Sequence, residues 1–151
     1  MYKRQLWDDA EKGSSSTELA KDKNIRRVVM CSGKVYFDLL EERDARGLND
    51  IYLLRFEQFY PFPAMSALKE LERFQNAEMV WCQEEPKNQG AWSFMEPNIE
   101  WVLSRMKAKF KRPIYVGRPA SASPATGLAS QHKEQQKLLV EEALNLKENK
   151  K

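Results

Sequence analysis

The chain has one histidine, His132, and two cysteines, Cys31 and Cys82, in 151 residues. A metal centre built from these three would still need further ligands, and two cysteines at the ends of separate apolar runs suggest small reduced hydrophobes rather than a disulfide framework. Long apolar stretches are missing too. No run approaches the ~20 residues of a membrane span, and no apolar core follows the N-terminus as a signal peptide would require. A soluble, unsecreted, cytoplasmic chain is therefore expected. Charge of one sign is scarce: 25 basic and 22 acidic side chains leave a net charge of +3. They are interspersed and no aromatic–basic stripe accompanies them, which argues against a nucleic-acid partner. His132 lies in a polar, helix-prone segment with no serine or cysteine tied to it by a motif, so it reads as a surface or capping residue. Glu84 and Glu85 are neighbours whose side chains diverge in an extended backbone, which excludes a working acid pair there. No catalytic and no metal-binding residue is assigned.

What remains is 42% hydrophobic and 31% charged, ordinary for one soluble domain of this length. Residues 1–25 show little periodicity and include GSSSTELAKDKN. They read as a poorly ordered linker or partial upstream segment in which Leu6 and Trp7 stand out as large apolar residues, and such a start suggests a chain that begins partway through a larger protein. A domain is expected over 26–145, followed by a disordered basic tail at 146–151.

Within the domain, strands and helices alternate. Val28–Cys31 reads as a strand that passes through Ser32, Gly33 and Lys34 into a helix at about 35–46, with Ser32 as N-cap and Gly47 as stop. The spaced glycines and following hydroxyl of a phosphate-binding loop are absent, though Lys34 stays near a helix N-terminus. Ile51–Phe56 is a second strand, and the YPFP turn leads to a helix at about 64–74 with Met65, Leu68 and Leu71 inward. Glu78–Cys82 is the third. A helix at about 95–110 follows, with Pro97 in its first turn and Ile99, Val102, Leu103 and Met106 inward. Pro113–Val116 is a fourth strand. GRPASASPATG at 117–127 then reads as an ordered wrap over a surface, before a last helix at about 130–144 carrying Leu138, Leu139, Ala143 and Leu144.

This order predicts a three-layer α/β fold, a mostly parallel sheet with helices on both faces. In such a sheet ligands meet the carboxyl edge of the strands. Lys34, Gln58, Gln83, Glu84, Glu85, Asn88, Gln89 and Arg118 all follow strand ends and should converge there as one polar rim. From the residues alone, the segment 83–89 fits a solvated loop, a nucleotide site or a protein contact.

The runs VVMCSGKVYFDLLEER at 28–43, LLRFEQFYPFP at 53–63, EMVWCQEEPKNQGAWSF at 78–94 and GRPASASPATG at 117–127 resemble the C-terminal domain of 2-oxoglutarate dehydrogenase, the thiamine-dependent decarboxylating component of its complex, in its bacterial form. The resemblance runs from Arg26 to Leu144, and Met1–Gln5 do not resemble the family. It implies a transketolase C-terminal-like fold and a homodimer whose thiamine diphosphate and magnesium sit in preceding domains. It also implies decarboxylation of 2-oxoglutarate and passage of the succinyl group to the lipoyl arm of dihydrolipoyl succinyltransferase in the citric acid cycle. No GDG motif with a distant asparagine pair occurs here, so no cofactor-binding residue is assigned, and this chain alone should be inactive. Its implied role is to close the dimer and brace the cofactor-binding domains, with Trp81, Trp92, Phe94 and Trp101 at or beneath the contact. Some relatives bind a nucleotide or acetyl-CoA effector. Gln58 matches a glutamine used for acetyl-CoA, whereas Met65 and Ser66 stand where its arginines would be. The alternative is a free-standing nucleotide- or CoA-binding regulatory module.

Overall fold

Three of the four strands, at 27–31, 51–55 and 78–82, are apolar and covered on both faces, while the fourth, at 114–116, leaves Ile114 exposed at an edge; all four pair in parallel, in the spatial order second, first, third, fourth. The computed structural model describes residues 16–123, 125 and 127–145. β1 is Arg27–Cys31, α1 Val35–Ala45, β2 Ile51–Arg55 and α2 Ala64–Leu71; β3 is Glu78–Cys82, α3 Trp92–Ser104, β4 Ile114–Val116 and α4 Ala129–Ala143.

Strand alternation sorts the core into two layers. Val28, Met30, Tyr52, Leu54, Met79 and Trp81 pack with Ala67 and Leu71 of α2 and with Met95, Ile99 and Val102 of α3. On the other face Val29, Cys31, Leu53, Val80 and Cys82 meet Val35, Tyr36 and Leu39 of α1 and Leu139, Val140 and Ala143 of α4. The architecture is thus the expected three-layer, parallel α/β fold. Arg27 anchors its last helix. Its Nη1 donates to the carbonyls of Glu142 and Ala143, each at 3.1 Å, while Nη2 reaches Glu78 Oε2 at 2.7 Å. A guanidinium at the C-terminal end of α4 satisfies its last carbonyls and opposes the helix dipole.

Residues 16–25, part of the segment expected to be a linker, run along this body. Ala20 N–H donates to Asn49 O at 2.8 Å, Asp22 pairs with Arg73 at 3.0 Å, and Ile25 is 2% exposed. Residues 1–15, with Leu6 and Trp7, and the tail 146–151 lie outside the described residues.

Several local expectations change. Ser32 does not cap α1: the chain turns at Gly33, with φ of +75°, and Lys34 takes the N-cap position without a side-chain bond. Gly47, at φ +61°, does stop that helix. α3 begins three residues before Met95, because Gln83 Oε1 receives the Trp92 N–H at 3.0 Å and so satisfies a free donor at that point. Pro97 therefore sits in the second turn. The helix also ends early, at Ser104, as Lys109 N–H donates to Gln75 O at 2.8 Å and draws the chain toward β4. Met65 points to solvent at 71% exposure while Ala67 takes the inward place, and Leu138 is likewise exposed, with Val140 inward. Among the described residues no helix is long and apolar enough to cross a membrane.

Candidate contact site at the carboxyl edge

The strand order creates a switch point. The chain steps from β1 to β2 on one side, then returns across β1 to β3 on the other. The loops leaving β1 and β3 therefore diverge, and a crevice opens between them. It measures about 460 Å³. Ser32 and Gly33 line it from the β1–α1 turn, and Phe59 and Tyr60 from the β2–α2 loop. Trp81, Gln83 and Glu85 come from β3 and its loop, and Ala91 and Phe94 from the start of α3.

Gln83 organises the loop beneath this cleft. It is 4% exposed, and its side-chain amide is fully engaged. Nε2 donates toward the carbonyls of Gln89 (2.8 Å), Pro86 (3.1 Å) and Glu85 (3.2 Å). Oε1 accepts from Trp81 Nε1 at 2.9 Å and from Trp92 N. One side chain thus folds residues 85–89 back on themselves and starts α3. Gly90, with φ +65°, completes the reversal, and a Cβ there would meet Glu85 Cβ at 3.0 Å and Glu85 Oε2 at 3.1 Å. The Glu85 side chain consequently lies across a residue that has none.

The neighbouring polar residues also hold one another. Asn88 forms a paired contact with Ser121, donating to its carbonyl at 2.9 Å and accepting its N–H at 3.0 Å, and Gln89 Nε2 donates to the same carbonyl at 3.1 Å. This seats Ser121, in the loop after β4, on the loop after β3; Pro124 and Thr126 of the expected wrap lie outside the described residues. Arg118 Nε donates to Glu84 O at 2.6 Å, and the Glu84 carboxylate accepts from Gln136 of α4 at 2.8 Å and lies 3.8 Å from Lys34 Nζ. Lys34 also approaches Asp38 at 3.4 Å. Tyr115 reaches from β4 into the same knot, donating to Arg118 O at 2.6 Å with Glu85 O at 3.2 Å. Burial raises its hydroxyl from the ordinary 10.0 to about 12, opposed by the Gln83 side chain. Burial likewise pushes the Cys82 thiol up, with Cys31 adding to the shift, so that group stays a neutral hydrophobe.

Of the eight residues expected at the rim, seven meet along one connected set of contacts between the first, third and fourth loops. Gln58 instead turns onto its own loop, Nε2 donating to Tyr60 O at 3.1 Å. Only Gln83 and Glu85 line the cleft. Phe59 and Tyr60 were missed as site residues because YPFP reads first as a turn. Two adjacent aromatics in the loop that follows a strand end carried the signal. Trp81 and Trp92 lie beneath the surface, while Phe94 and Trp101 are 38% and 42% exposed. His132 is exposed and lines a shallow groove between α1 and α4. Among the described residues no three His, Cys, Asp or Glu side chains converge as a metal site.

A family described as "2-oxoglutarate dehydrogenase C-terminal" matches residues 1–144. That span takes in Met1–Gln5, contrary to the expectation that they fall outside the family. The chain is similar to the 2-oxoglutarate dehydrogenase E1 component of Brucella anthropi, 60% identical over 144 residues, which cover 95% of this chain and 14% of that protein. The E1 components of Brucella ovis and Brucella abortus match with the same identity and coverage. The chain spans about 14% of the length of these curated relatives.

Proposed function

The chain belongs to the 2-oxoglutarate dehydrogenase C-terminal family, and we propose that it acts as the bracing and dimer-closing domain of an E1 decarboxylase. In this proposal the complete enzyme works as a cytoplasmic homodimer. With thiamine diphosphate and magnesium it decarboxylates 2-oxoglutarate and passes the succinyl group to the lipoyl arm of a succinyltransferase in the citric acid cycle. The proposal places the cofactor and its chemistry in other domains of that enzyme.

One observation carries the bracing role. The polar groups at the carboxyl edge are engaged in fixing loop to loop, while Tyr60 stands 82% exposed beside Phe94 and, further along α3, Trp101. Exposed aromatics on a rigid support suit a contact face. The regulatory reading finds less support. A phosphate would need free donors, yet Lys34 pairs with Asp38 and Glu84, and Arg118 Nε is held by Glu84 O.

The test is 2-oxoglutarate-dependent reduction of an artificial acceptor by the isolated chain with thiamine diphosphate and magnesium. No turnover is expected, and turnover above background overturns the proposal. Calorimetry with AMP, ATP and acetyl-CoA should show no heat at millimolar ligand; saturable heat would favour the regulatory module.

A further inference from the structure

We propose that the cleft between β1 and β3 is an anchor pocket for a lysine or arginine side chain presented by a neighbouring polypeptide. This deepens the reading of the carboxyl edge as a contact face and rests on it. The lining combines aromatic residues with a single charged group. Phe59, Tyr60, Trp81 and Phe94 contribute the rings, Glu85 contributes the carboxylate, and among the described residues no basic side chain lines the cleft. Aromatic rings attract cations through their negative faces, and a carboxylate at the mouth adds charge complementarity.

The carboxylate is held in place and is available. Glu85 lies across Gly90, which has no side chain to displace it. Its neighbour Glu84 is engaged by Gln136 and Lys34. By contrast, the Glu85 contacts run through its backbone carbonyl, which accepts from Gln83 and Tyr115. Among the described residues its carboxylate carries no hydrogen bond or ion pair.

An anion is disfavoured at the same place. The start of α3 would ordinarily attract one, but the Trp92 N–H already donates to Gln83 Oε1, and the amides of Phe94 and Met95 both donate to Ala91 O. Gln83 Nε2 faces only carbonyls of its own loop.

A polypeptide suits the cleft better than a free small cation, because its rim continues into an exposed stripe. Phe94, Pro97 and Trp101 lie three and four residues apart along α3 and face solvent. A basic side chain in the pocket would have its own backbone and neighbours laid on that stripe, an anchor within a wider apolar contact.

The test titrates the full 151-residue chain with the capped peptides Ac-Gly-Lys-Gly-NH2 and Ac-Gly-Arg-Gly-NH2, following backbone amide shifts. Saturable shifts are expected at Tyr60, Glu85, Gly90 and Phe94. The peptide with norleucine in place of lysine should bind about fivefold more weakly, and Glu85→Gln should weaken the lysine peptide by about the same factor. Tyr60→Ala should weaken both basic peptides. Glu85 and Tyr60 are exposed, so both variants should keep the fold, which the unchanged remainder of the spectrum reports. Equal binding of the norleucine peptide, no effect of Glu85→Gln, shifts centred elsewhere or no saturation would each overturn the proposal. Tetramethylammonium binding as tightly as the peptides would overturn the assignment to a polypeptide. Since this readout does not involve turnover, its failure is separable from failure of the bracing role.

Discussion

Replacing Gln83 by leucine should unfold the edge from within. Leucine matches the volume but supplies neither donor nor acceptor. It would strand Trp81 Nε1, the Trp92 amide and the Pro86 carbonyl, the three partners whose bonds to Gln83 are fully buried. Each orphaned buried group costs ~1–3 kcal/mol, while the carbonyls of Glu85 and Gln89, bonded in part-buried positions, can regain water. Leucine's own apolar burial offsets part of the sum, which leaves a net loss of about 3 kcal/mol. With a urea slope of ~2 kcal/mol/M, the midpoint followed by tryptophan fluorescence should fall by about 1.5 M. Should the loop open before the rest of the fold, the loss would register as faster amide exchange over residues 84–92. A loss under ~1 kcal/mol, a single bond's worth, together with unchanged exchange there would refute the claim that Gln83 organises the edge. Gln83→Glu adds a sign test. It turns a second oxygen toward three carbonyls, and burial raises the carboxyl pKa above the ordinary value. Such a group supports the fold below its unfolded pKa, and that support fades as pH rises through the folded one. The variant should therefore be closest to wild type in acid and weakest at neutral pH; a deficit independent of pH would contradict the geometry.

Three further outcomes follow from neighbouring contacts. Asn88→Ala removes both bonds to Ser121, and because the site is exposed it should cost under ~1 kcal/mol of global stability while accelerating exchange of the Ser121 amide; unchanged exchange would show that the pair does not hold the loop. Gly117→Ala would set a Cβ 2.7 Å from Gln83 O and 2.5 Å from Tyr115 Oη, so a loss of ~2 kcal/mol or more in urea unfolding is expected, and a neutral result would mean the two loops are not in that close register. The raised Tyr115 hydroxyl supports the fold fully below its ordinary 10.0, and the support is lost as pH climbs toward about 12. Wild type should accordingly lose stability over that interval more steeply than Tyr115→Phe, as measured by alkaline unfolding followed by circular dichroism, and parallel curves would argue against the assignment.

Fold and site differed in how much of them could be read from the sequence. The β1, β2 and β3 runs are short, apolar and bounded by turn residues, so periodicity located them to within a residue or two. The carboxyl-edge rule then gathered seven of the eight rim residues, since parallel topology alone brings strand ends together. What these residues do there was hidden. Gln83 looks like one more polar loop residue until tertiary structure encloses it, and the same enclosure starts α3 at Trp92, where local propensity favoured Met95. Asn88 and Gln89 bond to Ser121, more than thirty residues away, a pairing that no local signal carries. The cleft itself was missed because its walls are aromatic. Phe59 and Tyr60 sit in a proline turn, and turn chemistry masked their position after β2. Met65 and Leu138 went the wrong way because apolar character alone does not fix a helix's rotation: two residues further on, Ala67 and Val140 occupy the inward line instead.

The contact role of the carboxyl edge is tested most directly by amide exchange of this chain, alone and joined to the upstream part of a homologous E1 polypeptide. The account predicts new protection at residues 59–60, 85–94 and around Trp101 in the joined protein, with the edge formed by Arg27, Glu78 and Asn145 unchanged. Protection confined to that opposite edge, or an identical pattern in both states, would contradict it.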